Sequence, residues 1–305
     1  MAVSDNVSGK IIKRKKKKTT GDIVFNVFLY TFFTLTVVVI LYPLHSILAY
    51  SFNDRMVSIV RKVYIFPNAW TLENYKQILV NKPGILRGFL TTALRTAVGT
   101  AASLAVNALL AFILSRRKFR FRYIFSLFWV ITMYLQGGII PTYVLYSKLH
   151  LRENFLVYII PGMVNVMYVL VIRTYMKSIP YSLEESAQLE GAGYFKIFTC
   201  IISPLCKPVY AAIALFTALY HWNAWFDALL YNRYTPELTT LNYEIMKYIV
   251  SPGFERTVSE FKGRTSAYWP QITAASVLTA VPVLVVYLFF QRYFINGLTI
   301  GGIKD

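Results

Sequence analysis

The residues numbered 23–52 contain no Lys, Arg, Asp or Glu. A helix needs only about 20 predominantly apolar residues to cross the hydrocarbon core of a bilayer, so this run is long enough to span one. Five more uncharged stretches follow, at 96–115, 123–147, 154–172, 208–226 (extended upstream by 197–206) and 265–291. Together they predict an all-α polytopic membrane protein with six transmembrane helices, at about 23–52, 88–115, 123–147, 154–176, 203–230 and 266–292. A basic tail over 1–22 would precede the six-helix domain of 23–296, and a short tail over 297–305 would follow it.

Composition agrees with a lipid-facing exterior. The chain is 56% hydrophobic and 15% charged, with a mean hydropathy of +0.48, whereas a soluble protein needs about 25% charged residues to wet its surface. Disorder is excluded by the 16% aromatic content. Cys200 and Cys206 stand in an apolar stretch with no His nearby and read as packing residues rather than a metal or redox pair. His45, His150 and His221 are scattered and form no metal constellation, and His45 reads as a helix-packing hydrogen bonder. The net charge of +18 brings nucleic acid to mind, but the cations lie between the apolar runs, where they set topology.

The run Lys13–Lys18 mimics the start of a signal peptide, yet the apolar segment behind it is about twice the usual length and lacks a nearby small-residue cleavage site. The segment is expected to be retained. Basic residues crowd against span ends in this tail and in the link holding Arg116, Arg117, Lys118, Arg120 and Arg122. Cytoplasmic loops carry the excess of Lys and Arg, which puts both termini in the cytoplasm.

One cytoplasmic link differs from the rest. Over 178–203, Pro180 ends span four and Ser182 stands three residues before Glu185, a capping-box spacing that starts a helix. Glu184 and Glu185 fall in its first turn, where the macrodipole favours anions. Gly191 and Gly193 then stop or bend it after about two turns. Ala187 and Gly191, four apart, leave one face open to close approach. Two readings of this pattern stand: a helix merely capped and packed on its own bundle, or one built to seat against another surface.

The run Glu185-Ser186-Ala187, with Gly191 six residues after the Glu and Ile201-Ile202-Ser203-Pro204 beyond, resembles the EAA loop of permease subunits of binding-protein-dependent ABC importers. Ser186 and Ser203 depart from that pattern, while the Glu, the second Ala, the Gly and the Pro remain. Further words are similar to the carbohydrate, maltose-type branch, nearest to oligosaccharide permeases: Tyr42-Pro43, Pro67, Asn74-Tyr75, Gly137-Gly138 through Tyr143, Trp222-Asn223, Gln291 through Phe294 and Gly297-Leu298-Thr299.

The resemblance implies a type I importer permease fold and a bacterial plasma membrane. It implies a cytoplasmic coupling helix that docks on a separate ATPase dimer through Glu184, Glu185, Ala187, Glu190, Gly191 and Pro204. It also implies a second, homologous permease as heterodimer partner and an extracellular sugar-binding protein. The cargo would be a carbohydrate, an oligosaccharide or polysaccharide fragment. No cofactor is expected on this chain, since ATP and Mg would sit in the ATPase; the sequence has no G-x-x-x-x-G-K-[ST] phosphate loop. Hence a non-catalytic subunit is expected. The outer loops 53–87 and 233–264 would contact the binding protein, the second being ordered only by such contact.

The end of span five offers Tyr220, Trp222, Asn223, Trp225 and Asp227. Aromatic faces with amides and carboxylates suit sugars, and aromatic belts also gather at membrane interfaces, so pathway and belt both stand. Arg95 lies about two turns into span two, a position that favours snorkelling to the interface. An intramembrane enzyme using Tyr220, His221 and Asp227 lacks a nucleophile or carboxylate pair, and an ion-driven transporter lacks a mid-membrane carboxylate.

Overall fold

A computed structural model describes residues 20–81, 83–135, 137–249 and 269–298. The basic tail through residue 19, the far half of the second outer loop (250–264), the first residues of span six and everything after 298 lie outside them. Among the described residues the chain is helical, with one isolated bridge between Asn53 and Trp70.

Three helices are long enough and apolar enough to cross a bilayer alone: α1 (Thr20–Ser51), α4 (Pro83–Ser115) and the last, Trp269–Leu298. Short α2 (Arg55–Val60) and α3 (Glu73–Asn81) lie between the first two. Three further crossings are bent pairs, bringing the total to six. Helix α5 (Arg122–Tyr134) meets α6 (Ile139–Lys148) at 117°. The run expected over 123–147 is thus a bent pair of helices rather than one straight helix. Gly138, at φ 81°, takes the left-handed conformation that other residues avoid, and it turns the chain there.

Span four starts as 3-10 turns (Phe155–Tyr158 and Ile160–Gly162) before α7 (Val166–Ser178), with a 47° bend. Next come α8 (Ser182–Leu189) and α9 (Tyr194–Ile197), a π segment (Phe198–Ile202), α10 (Ser203–Leu205) and α11 (Lys207–Asn223). Pro204 has no N–H and its ring crowds the carbonyl four residues back, which fits a widened turn just before it. With Pro208 four residues on, the chain bends 81° into α11. Then follow α12 (Phe226–Tyr231), α13 (Leu241–Ile249) and α14 (Trp269–Leu298).

Helix α4 is the hub, packing on α7, α11 and α13, while α1 lies outside against α14 with its apolar side chains uncovered, as a lipid-facing helix should. One apolar core at the α8 end joins Phe112, Ile172, Met176, Ala187, Ile197, Cys206 and Ile213. Two others lie at the opposite end, around Ile78, Trp222 and Leu241, and around Tyr158, Ala228 and Tyr231. Helices α4 and α11 approach closely where Gly99 meets His221, since a Cβ on Gly99 would run into the His221 ring.

The loops of that opposite end are ordered by the chain itself. Asn53 Oδ1 accepts from the backbone N–H groups of Asn68 and Ala69 at 2.7 and 3.0 Å, and Asn74 Nδ2 donates to the carbonyls of Ser51 and Asn53 at 3.0 and 2.9 Å. His45 reaches the same loop through the Ile65 carbonyl at 2.6 Å. The described part of the second loop is not waiting for a partner. Thr91 Oγ1 donates to the Glu237 carbonyl at 3.1 Å, Tyr158 Oη to the Leu238 carbonyl at 2.7 Å, and Thr92 Oγ1 accepts from Leu241 N–H at 2.8 Å.

Candidate functional site

Helix α8 lies across one end of the bundle, and its two faces have different neighbours. Glu184 and Ala187 are buried against the bundle; Glu185, Glu190 and Gly191 are exposed. Glu184 forms an ion pair with Arg116, just past the end of α4, and accepts from Gln188 Nε2 at 3.2 Å. Gln188 Oε1 in turn accepts from Lys118 at 3.3 Å. A buried carboxylate needs such partners, because its desolvation outweighs the gain of burial when it is unpaired. Glu184 and Ala187 thus tie α8 to its own chain. The outward face is carried by Glu185 and Glu190 with two side chains the sequence pattern did not single out, Leu189 at 90% and Phe195 at 75% exposure. Pro204 is exposed as well, though it belongs to the bend rather than to this face.

The start of α8 differs from a capping box. Tyr181 is already helical (φ −67°, ψ −25°), so Ser182 sits inside the first turn and cannot cap it. The first N–H groups go to backbone instead: Leu183 to the Pro180 carbonyl at 3.3 Å, Glu184 and Glu185 to that of Tyr181 at 3.0 and 3.1 Å. Glu185 is left free of an internal role. The other end does close on Gly191 (φ 80°): its N–H bonds the Gln188 carbonyl at 3.0 Å and Ala192 N–H the Ala187 carbonyl at 2.9 Å, the paired bonds of a Schellman motif.

At the other end of α4, Arg95 overturns the snorkelling expectation. Its side chain is completely buried and forks onto Asp227 of α12, with Nη2 to Oδ2 at 2.5 Å and Nη1 to Oδ1 at 3.2 Å. The guanidinium also stacks 4.2 Å from the Tyr158 ring centroid. In a dry interior a cation is held by a matching anion rather than released to the interface. No local pattern reveals this, since the partners are 132 residues apart in sequence.

The pair forms one wall of a cavity of about 720 Å³ at the α5–α6 bend, which Tyr146, Tyr158, Tyr220, Asn223, Trp225 and Tyr231 also line. The structure thus brings together Tyr220, Asn223, Trp225 and Asp227 of the span-five residues. It separates Trp222 from them: that ring packs edge-on against Phe89 at 5.8 Å and donates from Nε1 to the Thr279 carbonyl at 3.0 Å. Trp222 is neither interface belt nor cavity wall.

No protein-family model matches the chain. Sequence comparison finds a relative described as the polygalacturonan/rhamnogalacturonan transport system permease protein YtcP of Bacillus subtilis, 30% identical and aligned over 92% of this chain and 98% of that protein. Protein LplC of the same organism is 31% identical over 86% of this chain and 88% of its own length. The arabinooligosaccharides transport system permease protein AraQ, also of Bacillus subtilis, is 27% identical over 92% of this chain and 96% of its own. Among solved structures, a chain of a bacterial ABC transporter involved in the import of the acidic polysaccharide alginate superposes with a TM-score of 0.80 and 26% identity, covering 92% of this chain and 99% of that one. With near full-length matches, six crossings and an exposed helix braced across one end, the chain belongs to the family of membrane-spanning permease subunits of ABC importers.

Proposed function

We propose that this subunit carries an oligosaccharide or a polysaccharide fragment, passed to it by an extracellular binding protein, along a pathway walled in part by Tyr220, Asn223, Trp225 and Asp227. As a permease of this family it is a non-catalytic membrane subunit, working with a binding protein and with a separate ATPase that hydrolyses ATP. ATP and Mg would be held in that ATPase and not here. The carbohydrate reading draws on the relatives' cargo and on the tyrosine-rich cavity, whose rings and hydroxyls suit sugar faces and hydroxyl groups.

The observation that carries the coupling role is the two-sidedness of α8. Its inner face is fixed by Glu184 and Ala187, leaving Glu185, Glu190, Gly191, Leu189 and Phe195 outward. That rim of carboxylates around apolar side chains suits a cleft with a basic residue at its edge, where a charge pair fixes register and the apolar side chains supply area. In this reading Glu184, Ala187 and Pro204 transmit movement rather than touch the ATPase. The coupling end and both termini would face the cytoplasm of a bacterial cell, and the pathway would be completed by a second, different permease. The loops around α2, α3 and α13 would meet the binding protein.

A gentle detergent pull-down of the tagged chain from its native membrane, with mass spectrometry, tests the assembly. Recovery of an ATPase and a second six-helix permease is the expected result, and a folded chain recovered alone would refute it. Glu185→Lys should leave the chain inserted and abolish both ATPase recovery and uptake; unchanged uptake would remove Glu185 from the role.

A further inference from the structure

Beside the inner face of α8 lies a cleft of about 450 Å³, between the end of α4, the start of α5 and the end of α7. Four cationic side chains line it: Arg116, Arg117, Arg122 and Lys177. Arg116 is committed to Glu184. Among the described residues the other three have no carboxylate partner. Arg117 stacks over the Tyr181 ring at 4.8 Å, and Arg122 over Tyr123 at 4.7 Å while donating to its hydroxyl at 3.2 Å. Behind them, Arg173 donates from Nη1 to Ser126 Oγ at 2.6 Å and keeps a buried Nε without a partner. Arg122 and Lys177 both stand within electrostatic reach of Arg173.

Like charges drawn together at the edge of a low-dielectric region repel, and such a cluster is stable when an anion sits among them. Guanidinium groups present forked N–H donors matched to phosphate oxygens, and an ammonium adds a point charge. Excess cations at span ends also serve topology, but topology requires only that they be on one side, not that they converge on one cleft. Basic pockets between membrane helices hold anionic lipid headgroups in this way. Further along α5, Ile124, Leu127 and Phe128 are exposed, and none of them lines the cleft.

We propose that this cleft is a binding site for a phosphate group, presented by an anionic phospholipid or free in solution, with Arg117, Arg122 and Lys177 as its ligands and Arg173 as supporting charge. The proposal rests on the cleft alone and stands or falls independently of the cargo and of the ATPase contact.

The test uses the full chain, with whatever partners purify with it, in nanodiscs of phosphatidylcholine alone or of phosphatidylcholine and phosphatidylglycerol in equal parts. Native mass spectrometry reads the retained phosphatidylglycerol. Each cation near an anionic headgroup contributes a factor of about five, so Arg122→Gln with Lys177→Gln should lower retention by roughly twentyfold. Arg122→Lys should keep most of it. Arg120→Gln, which removes an exposed charge from the same link outside the cleft, should change little. In phosphatidylcholine discs, inorganic phosphate retained by the wild type and lost in the double variant would support the site with a soluble source. An equal loss for Arg120→Gln, or wild-type retention of both probes in a double variant that elutes and folds as wild type, would overturn the proposal.

Discussion

Removing Asp227 should destabilise the bundle more than removing Arg95, although each breaks the same ion pair. Asp227→Leu leaves a guanidinium with no exposed surface, one carbonyl contact at 3.5 Å to Ala224 and the Tyr158 ring at 4.2 Å. Stranding a buried charge in this way costs about 3–5 kcal/mol. Arg95→Met leaves a carboxylate whose side chain is 23% exposed to the cavity and which still accepts from the Ala228 N–H at 2.9 Å, so water can replace the lost donors. That loss should be about 1.5–3 kcal/mol, the scale of a hydrogen bond to a charged group. The double variant Arg95→Met with Asp227→Leu removes both charges and keeps the volume, and should lie within about 1 kcal/mol of wild type. The cycle therefore predicts a coupling energy of about 5 kcal/mol. Reversible SDS unfolding of the purified chain in mixed micelles, followed by circular dichroism, measures all four states. Equal losses from the two single variants, or losses that add in the double, would refute the reasoning, because either would mean that Arg95 is not dependent on Asp227 for its charge.

Gly191→Ala meets open space yet forces a left-handed φ on a residue with a Cβ, so it should fray the end of α8 at about 1 kcal/mol and reduce uptake while membrane insertion stays intact. Wild-type uptake would show that the Schellman closure is dispensable. Glu184→Ala should free α8 from the bundle, and the expected signature is ATPase activity in proteoliposomes that no longer tracks uptake; proportional loss of both would refute a bracing role. Trp222→Ala should lower the unfolding free energy by about 3–5 kcal/mol whatever the cargo, as a large buried ring would. Tyr220→Ala, at a half-exposed cavity position, should keep stability and alter transport, and the reverse pattern in a thermal-shift and uptake comparison would move the pathway elsewhere. Gly99→Leu should prevent the close approach of α4 and α11 at His221, seen as loss of the folded monomer on size exclusion.

The crossings are legible because uncharged runs of membrane length have one solution in lipid, a helix that satisfies its own backbone. Their joints are less so. Gly137-Gly138 stands in the middle of an apolar run, where hydropathy averages it away, and only the left-handed Gly138 reveals the bend. The end of α8 could be read from Gly191, a residue type tied to one backbone conformation, whereas its start misled because Tyr181 had already entered the helix. The sequence neighbourhood of Arg95 holds no partner for it, since Asp227 lies on another crossing. Proximity along the chain groups Trp222 with Tyr220 and Asn223, though consecutive helical positions point to different sides. The exposed Leu189 and Phe195 leave no sign in the sequence, because an apolar side chain carries no mark of burial there, and only packing shows that none of the described residues covers them.

The Arg95–Asp227 and Arg116–Glu184 ion pairs hang from α4, with Arg95 within it and Arg116 one residue beyond its end, 21 positions and roughly 30 Å apart at helical rise. Among the other crossings, breaks divide spans three, four and five, while α1 and α14 carry Pro43 and Pro282 inside continuous helices. Helix α4 has no interior proline and stays continuous. In mechanical terms it is a push-rod among hinged links. On the proposed coupling role, a displacement imposed on α8 would reach Arg116 through Glu184 and arrive at the Arg95–Asp227 wall with little lost to flexure, whereas the jointed spans would absorb the same stroke by changing their angles.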